Sequence, residues 1–127
     1  MNVLMINGSP RVNGNTAIAL REMDQIFKLE GIDCECVHYA SANATLIACL
    51  DRLFYSTSFD KTMKVGASVA VARRGGCSAT FDELNKYFTI SGMPVASSQY
   101  WNSVHGREAG QAAQDEEGLQ TMRVLAH

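Results

Sequence analysis

The chain has 127 residues, 46% of them apolar, with eleven basic and thirteen acidic side chains giving a net charge of −2. That length suits a single domain over residues 1–127 with one core, and the near-balanced charge leaves no broad electropositive surface for nucleic acid. The longest run free of charged or strongly polar residues, 65–72, is far short of the ~20 residues needed to cross a bilayer, so no membrane span is expected.

Asn2–Asn7 is a short apolar run closed by Gly8 and Pro10, and it reads as a strand buried on both faces of a parallel sheet. From Asn15 the pattern turns helical: Ala19, Met23, Ile26 and Phe27 share one face, Arg21, Asp24 and Lys28 the other, and Gly31 ends it. Residues 32–39 alternate as a second strand near an edge. Asn43–Tyr55 is a helix with Leu46, Ile47, Leu50 and Leu53 spaced for burial and Asn43 placed as its N-cap. Residues 65–72 form a β-branched and alanine-rich central strand that runs into Arg73-Arg74-Gly75-Gly76. Thr80 and Glu83 have capping-box spacing, Phe81, Leu84 and Phe88 give the next helix its apolar stripe, and Gly92 and Pro94 close it. Residues 95–98 are the last strand, and 108–127 the last helix, with Leu119, Met122 and Ala126 on one side.

Alternating strands and helices predict a three-layer α/β sandwich around a parallel sheet, in which ligands sit outside the carboxyl ends of the strands. Three loops at such ends have unusual composition, 8–16, 39–43 and 73–77, and a fourth, 100–106, adjoins them. The first, INGSPRVNGNT, leads into a helix, whose unpaired N–H groups and dipole favour an anion, with phosphate the best guess. Gly8 and Gly14 enclose five residues rather than four, and Asn15 stands where a Walker A loop needs lysine; no GxGxxG pattern is present either. What remains is a loop able to meet phosphate oxygens with Ser9 and Thr16 hydroxyls, Asn13 and Asn15 amides, backbone N–H groups and the charge of Arg11, which suits the monoester of FMN. The same residues also make an ordinary turn and helix cap.

The four cysteines, Cys34, Cys36, Cys49 and Cys77, match neither a zinc pair nor a redox CxxC pair. They read as reduced structural thiols, with a regulatory thiol at Cys77 as the alternative. No metal ligand set stands out, and no catalytic side chain is assigned. The amino-terminal residues lack both a basic segment and a cleavage-like site, so cytoplasmic residence is expected.

The stretches INGSPRVNGNTAIAL, ACLDRLFYSTSFD, ARRGGCSATFDELNKYFTISGMPV and SSQYWNSVHG resemble the flavodoxin-like NAD(P)H-dependent FMN reductase family, the flavodoxin family oxidoreductases. The resemblance implies a flavodoxin-like fold and noncovalent FMN. It also implies reduction of the flavin by NAD(P)H, passage of electrons to a small acceptor such as a quinone or free flavin, and a homo-oligomer, dimer or tetramer. By position, Ser9, Arg11, Asn13, Asn15 and Thr16 match the phosphate loop. Tyr39, Ala40, Ser41, Ala42 and Asn43 match the end of the second flavin loop. Arg73, Arg74, Gly75 and Gly76 match the third, beside the isoalloxazine, where the glycine pair lets backbone approach a flat ring. Because the cofactor performs the redox chemistry, no protein nucleophile is required.

The chain departs from the family between Cys36 and Tyr39, where the family has a further helix and central strand, a block of roughly 30 residues or more. Of the strand order 2-1-3-4-5, strand 3 is then missing from between strands 1 and 4. Three outcomes are open: the 34–39 segment fills the place, a partner chain supplies a strand, or the sequence omits residues. Two competing functions stay open with them: a non-catalytic FMN-binding or electron-carrier protein, and a cofactor-free oligomerising remnant. Tyr100 and Trp101 fit either a flavin wall or an oligomer contact. His105 is either a proton or hydrogen-bond donor near the flavin or a plain loop residue.

Overall fold

A computed structural model of the chain describes residues 1–38 and 43–127. Strand β1 (Asn2–Asn7) is followed by α1 (Asn15–Leu29), β2 (Asp33–His38), α2 (Asn43–Tyr55), β3 (Ala70–Ala72), α3 (Cys77–Ile90), β4 (Ser103–His105) and α4 (Glu116–Ala126), with a 3-10 turn at Gln111–Gln114. Of the second flavin loop, Tyr39, Ala40, Ser41 and Ala42 lie outside the described residues, and Asn43 opens α2.

The helical periodicity of α1 becomes its packing: Ala19, Met23, Ile26 and Phe27 are all buried, and Lys28 pairs with Asp24 at 2.6 Å on the outer face. Gly31, at φ +69°, supplies the left-handed residue that lets the chain turn into β2. Across from α1 lies α4, whose Met122 and Ala126 join Met5 of β1 and Val104 of β4 in one core. Arg123 of α4 also pairs with Glu22 of α1. Val69 and Val71 face this core, whereas Ser68 turns to the opposite side and donates to Asn85 of α3 at 2.6 Å. Strand β3 and the residues leading into it therefore lie between α1 with α4 on one face and α3 on the other, with α2 leaning on α3 through Phe54, 5.5 Å from the Tyr87 ring and 5.8 Å from Phe88. This is the expected α/β layering, shortened.

The sheet is broken in the middle. β1 pairs in parallel with β2, β3 pairs in parallel with β4, and a single parallel bridge joins Gly66 to Val95. Among the described residues no ladder connects the two pairs, and the break falls where the order 2-1-3-4-5 expected from the resemblance would place a third strand. The 33–38 segment stays beside β1 and does not rejoin them. Helix α1 touches β1 and β2 as well as β3 and β4, so side-chain packing, rather than a hydrogen-bonded strand, holds the halves together.

Five expectations need correction. β1 is not buried on both faces: Met5 is 7% exposed against α1, but Leu4 on the other face is 59% exposed, with no element among the described residues covering it. The 65–72 strand forms a ladder only at Ala70–Ala72, and 95–98 gives way to β4 at Ser103–His105. Between the Gly66–Val95 bridge and the Ala70–Ser103 pair, one side advances four residues and the other eight, so the second loops out and carries Tyr100 and Trp101 with it. α3 starts at Cys77 after Gly76, and Thr80 sits inside it, donating to the Gly76 carbonyl rather than capping. The last helix begins at Glu116, capped by Asp115, whose Oδ1 accepts from Gly118 N at 3.1 Å.

One contact between the layers is measurable. Tyr87 donates its hydroxyl to Asp51 Oδ1 at 2.6 Å, and that bond, with burial and the Asp51 charge, pushes the phenol up to about 12. A raised phenol contributes stability that is complete below its unfolded value near ~10 and is lost as pH rises through ~10 to 12. Tyr87→Phe should therefore cost about 0.5–1.5 kcal/mol at neutral pH in denaturant unfolding. The variant should also lose less stability than the wild type over that alkaline range; parallel losses would show that the bond does not form.

Candidate functional site

The loop after β1 is tied by its own side chains. Asn7, buried at the strand end, accepts from Ser9 N at 3.0 Å, Ser9 Oγ accepts from Arg11 N at 3.2 Å, and the Arg11 carbonyl accepts from Gly14 N at 3.1 Å. His38, at the end of β2, donates Nε2–H to the Ser9 carbonyl at 2.7 Å, which fixes the loop to the neighbouring strand. Gly14 is the N-cap of α1, with no side chain capping the helix and no acidic residue in its first turn. Arg11 is exposed beside it, Thr16 is half-buried on the first turn, and Asn13 accepts from Arg21.

Asn15 does something the sequence does not announce. Its Nδ2 donates to the carbonyls of Gly106 and Glu108, both at 3.0 Å, and its Oδ1 accepts from Ala112 N at 3.2 Å. The first residue of α1 thus clamps the loop that follows β4. The approach is close: a Cβ on Gly106 would stand 2.7 Å from both Asn15 Nδ2 and Ala112 N. Gln111 closes the same loop, accepting from Arg107 N at 2.7 Å and Glu108 N at 3.0 Å.

Beside this clamp lies a cavity of about 330 Å³ lined by Arg73, His105, Gly106, Arg107, Gln111, Gln114 and Asp115. Arg73, Arg74, Gly75 and Gly76 are all exposed; Gly76 takes φ +90°, and a Cβ on Gly75 would meet nothing within 4 Å. The loops after β1, β3 and β4 therefore meet at the carboxyl ends of the strands. Tyr100 and Trp101, each 59% exposed with rings 5.4 Å apart, precede β4 and do not line the cavity. A second cavity, about 360 Å³ between Phe54, Phe59, Lys61 and Ile90, carries none of these loops.

The helix starts set the electrostatics. α4 is capped by Asp115 and carries Glu116 and Glu117 in its first turn, so its positive end is neutralised within the chain. α1 and α3 have neither a side-chain cap nor a first-turn acid. Each start is preceded by an exposed arginine of its own loop, Arg11 before α1 and Arg73 before α3, an environment suited to an anion, whereas Arg107 is paired with Glu108 at 3.0 Å. Asp115, Gln111 and His38 were not singled out from the sequence as parts of this arrangement. Only Asp115 carries a local signal, an aspartate directly before two glutamates.

The four thiols are free. Cys34 and Cys36 lie on β2, Cys49 on α2 and Cys77 at the start of α3. Burial pushes the Cys34, Cys36 and Cys77 thiols up, and the Asp24 charge adds to this at the first two. Among the described residues, no group of three or more His, Cys, Asp or Glu is placed to hold a metal ion, and no helix is long and apolar enough to cross a membrane.

No protein-family model matches the chain. No solved structure matches it. It is similar to an iron-sulfur flavoprotein of Methanocaldococcus jannaschii, 26% identical over 180 positions that take in 98% of this chain and 93% of the relative. A match of that length exceeds the 127 residues present here, so the relative has stretches that this chain lacks.

Proposed function

We propose that the chain is an FMN-dependent oxidoreductase in which NAD(P)H reduces the flavin and a small acceptor, such as a quinone or free flavin, reoxidises it. The observation that carries this reading is the start of α1: it opens uncapped at the carboxyl end of β1, and its first residue is bonded to the loop lining the Arg73 and His105 cavity. The relative's description as a flavoprotein supports the flavin, and only that half of its description is carried over. A cytoplasmic homo-oligomer, dimer or tetramer, belongs to the same proposal.

The residues present fit the phosphate end of FMN. The Ser9 hydroxyl keeps its proton for donation while its oxygen accepts from Arg11 N, and Thr16, the first-turn N–H groups of α1 and the Arg11 guanidinium complete the donor set. Asn15 braces this end instead of reaching the ligand, because its amide is engaged by the 106–112 loop. Exposed Gly75 and Gly76 leave space for a flat ring to approach backbone. Bound flavin would supply the two-electron chemistry. The chain's part is to hold the phosphate, orient the ring and present Arg73 and Arg107 to an anionic nucleotide.

The test is NAD(P)H oxidation by the flavin-loaded protein with a quinone as acceptor, followed at 340 nm. Turnover proportional to bound flavin is expected. Flavin bound without NAD(P)H consumption would reduce the proposal to a carrier, and failure to bind flavin would overturn it.

A further inference from the structure

We propose that Cys77, His105 and Asp115 form a base-assisted thiol site that reduces small hydroperoxides. Three different parts of the fold bring these side chains together. Cys77 is the first residue of α3; its thiol donates to the Ala70 carbonyl at 3.7 Å, and its Sγ lies 3.9 Å from His105 Nε2 at the end of β4, within reach of that ring once the thiol rotates. His105 Nδ1 is 3.7 Å from Asp115 Oδ2. That carboxylate is itself held in place, accepting from His105 N at 2.6 Å through Oδ2 and from Gly118 N at 3.1 Å through Oδ1.

The order thiol, imidazole, carboxylate supplies a proton acceptor for sulfur and an orienting charge for that acceptor. His105, Asp115, Arg73 and Arg107 line the cavity of about 330 Å³; Cys77 does not line it, so a peroxide entering there meets the imidazole first and reaches sulfur only past the His105 ring. Among the described residues, the two arginines and Asp115 share the cavity with His105, and Cys77 lies at its Nε2. Sulfur also sits at the uncapped amino end of a 14-residue helix, which favours developing negative charge and opposes the burial that pushes this thiol up. Cys77 is only 9% exposed, which selects for a small neutral oxidant over a bulky electrophile.

The step balances without a further reactant. His105 Nε2 takes the thiol proton, sulfur attacks one peroxide oxygen, the S–O bond forms as the O–O bond breaks, and the departing oxygen takes the proton from His105. Sulfur loses two electrons to give the sulfenic acid, and the hydroperoxide is reduced to an alcohol, or to water from hydrogen peroxide. Nothing in this step depends on the flavin.

Cys36 is the internal control, since it is more exposed than Cys77 but lies near the Asp24 charge. The purified protein is treated with hydrogen peroxide, sulfenic acids are trapped with dimedone, and each cysteine peptide is quantified by mass spectrometry. Cys77 should react at least about tenfold faster than Cys36, and His105→Gln should slow Cys77 by about tenfold or more while leaving Cys36 unchanged. Cys36 reacting first, or an unaltered Cys77 rate in a folded His105→Gln protein, overturns the proposal. If that variant melts abnormally, the wild-type ratio of Cys77 to Cys36 decides alone.

Discussion

Asn15→Ala is expected to destabilise the fold by about 2–4 kcal/mol, read as a lower urea midpoint with an unchanged slope. The side chain makes three hydrogen bonds to a loop more than ninety residues away, each worth about 1 kcal/mol net. They are not equivalent. The Glu108 carbonyl lies in an exposed stretch and can turn to water, whereas Ala112 is fully buried, and its N–H is left without a partner when Oδ1 is removed. Asn15→Asp separates the two parts. It keeps the acceptor for Ala112 N and removes the two donors, so its stability should fall between the wild type and Asn15→Ala. Its negative charge at the amino end of α1 should at the same time oppose a bound phosphate. If Asn15 served the phosphate directly, as its place in the loop suggests from sequence, alanine would weaken flavin binding and leave the urea midpoint unmoved.

That contrast shows which features were legible. Helix α1 is legible because its burial repeats locally: Ala19, Met23 and Phe27 announce a face before any partner is known; the span of α2 is legible too, but of Leu46, Ile47, Leu50 and Leu53 only Leu50 is buried. Strand β1 is legible as a strand, but the exposure of Leu4 is not, since burial of its second face depends on what packs there from elsewhere in the fold. β4 was misplaced because 95–98 and 103–105 are both plausible strands, and only the pairing with Ala70–Ala72 chooses between them. That a strand is missing after β2 is legible from the short passage between Cys36 and Tyr39, a matter of chain length rather than propensity, but a sheet left in two pairs is not one of the three outcomes that passage leaves open. The clamp by Asn15 and the approach of His105 to Cys77 join residues far apart in sequence. An asparagine before a helix has many local uses, and nothing in its neighbours selects the distant one.

The second large effect concerns the phosphoryl end of the ligand. α1 begins with no carboxylate to neutralise it and with Arg11 exposed alongside. A doubly charged monoester placed there gains charge-assisted hydrogen bonds that a neutral sugar alcohol cannot make. Fluorescence titration of the protein with FMN and, in parallel, with riboflavin isolates that term, because the two ligands share the ring and the ribityl chain. FMN should bind at least about 100-fold more tightly, about 2.7 kcal/mol, and the difference should shrink with added salt. Equal affinities for the two flavins, or no binding of either, would contradict a phosphate grip at the start of α1.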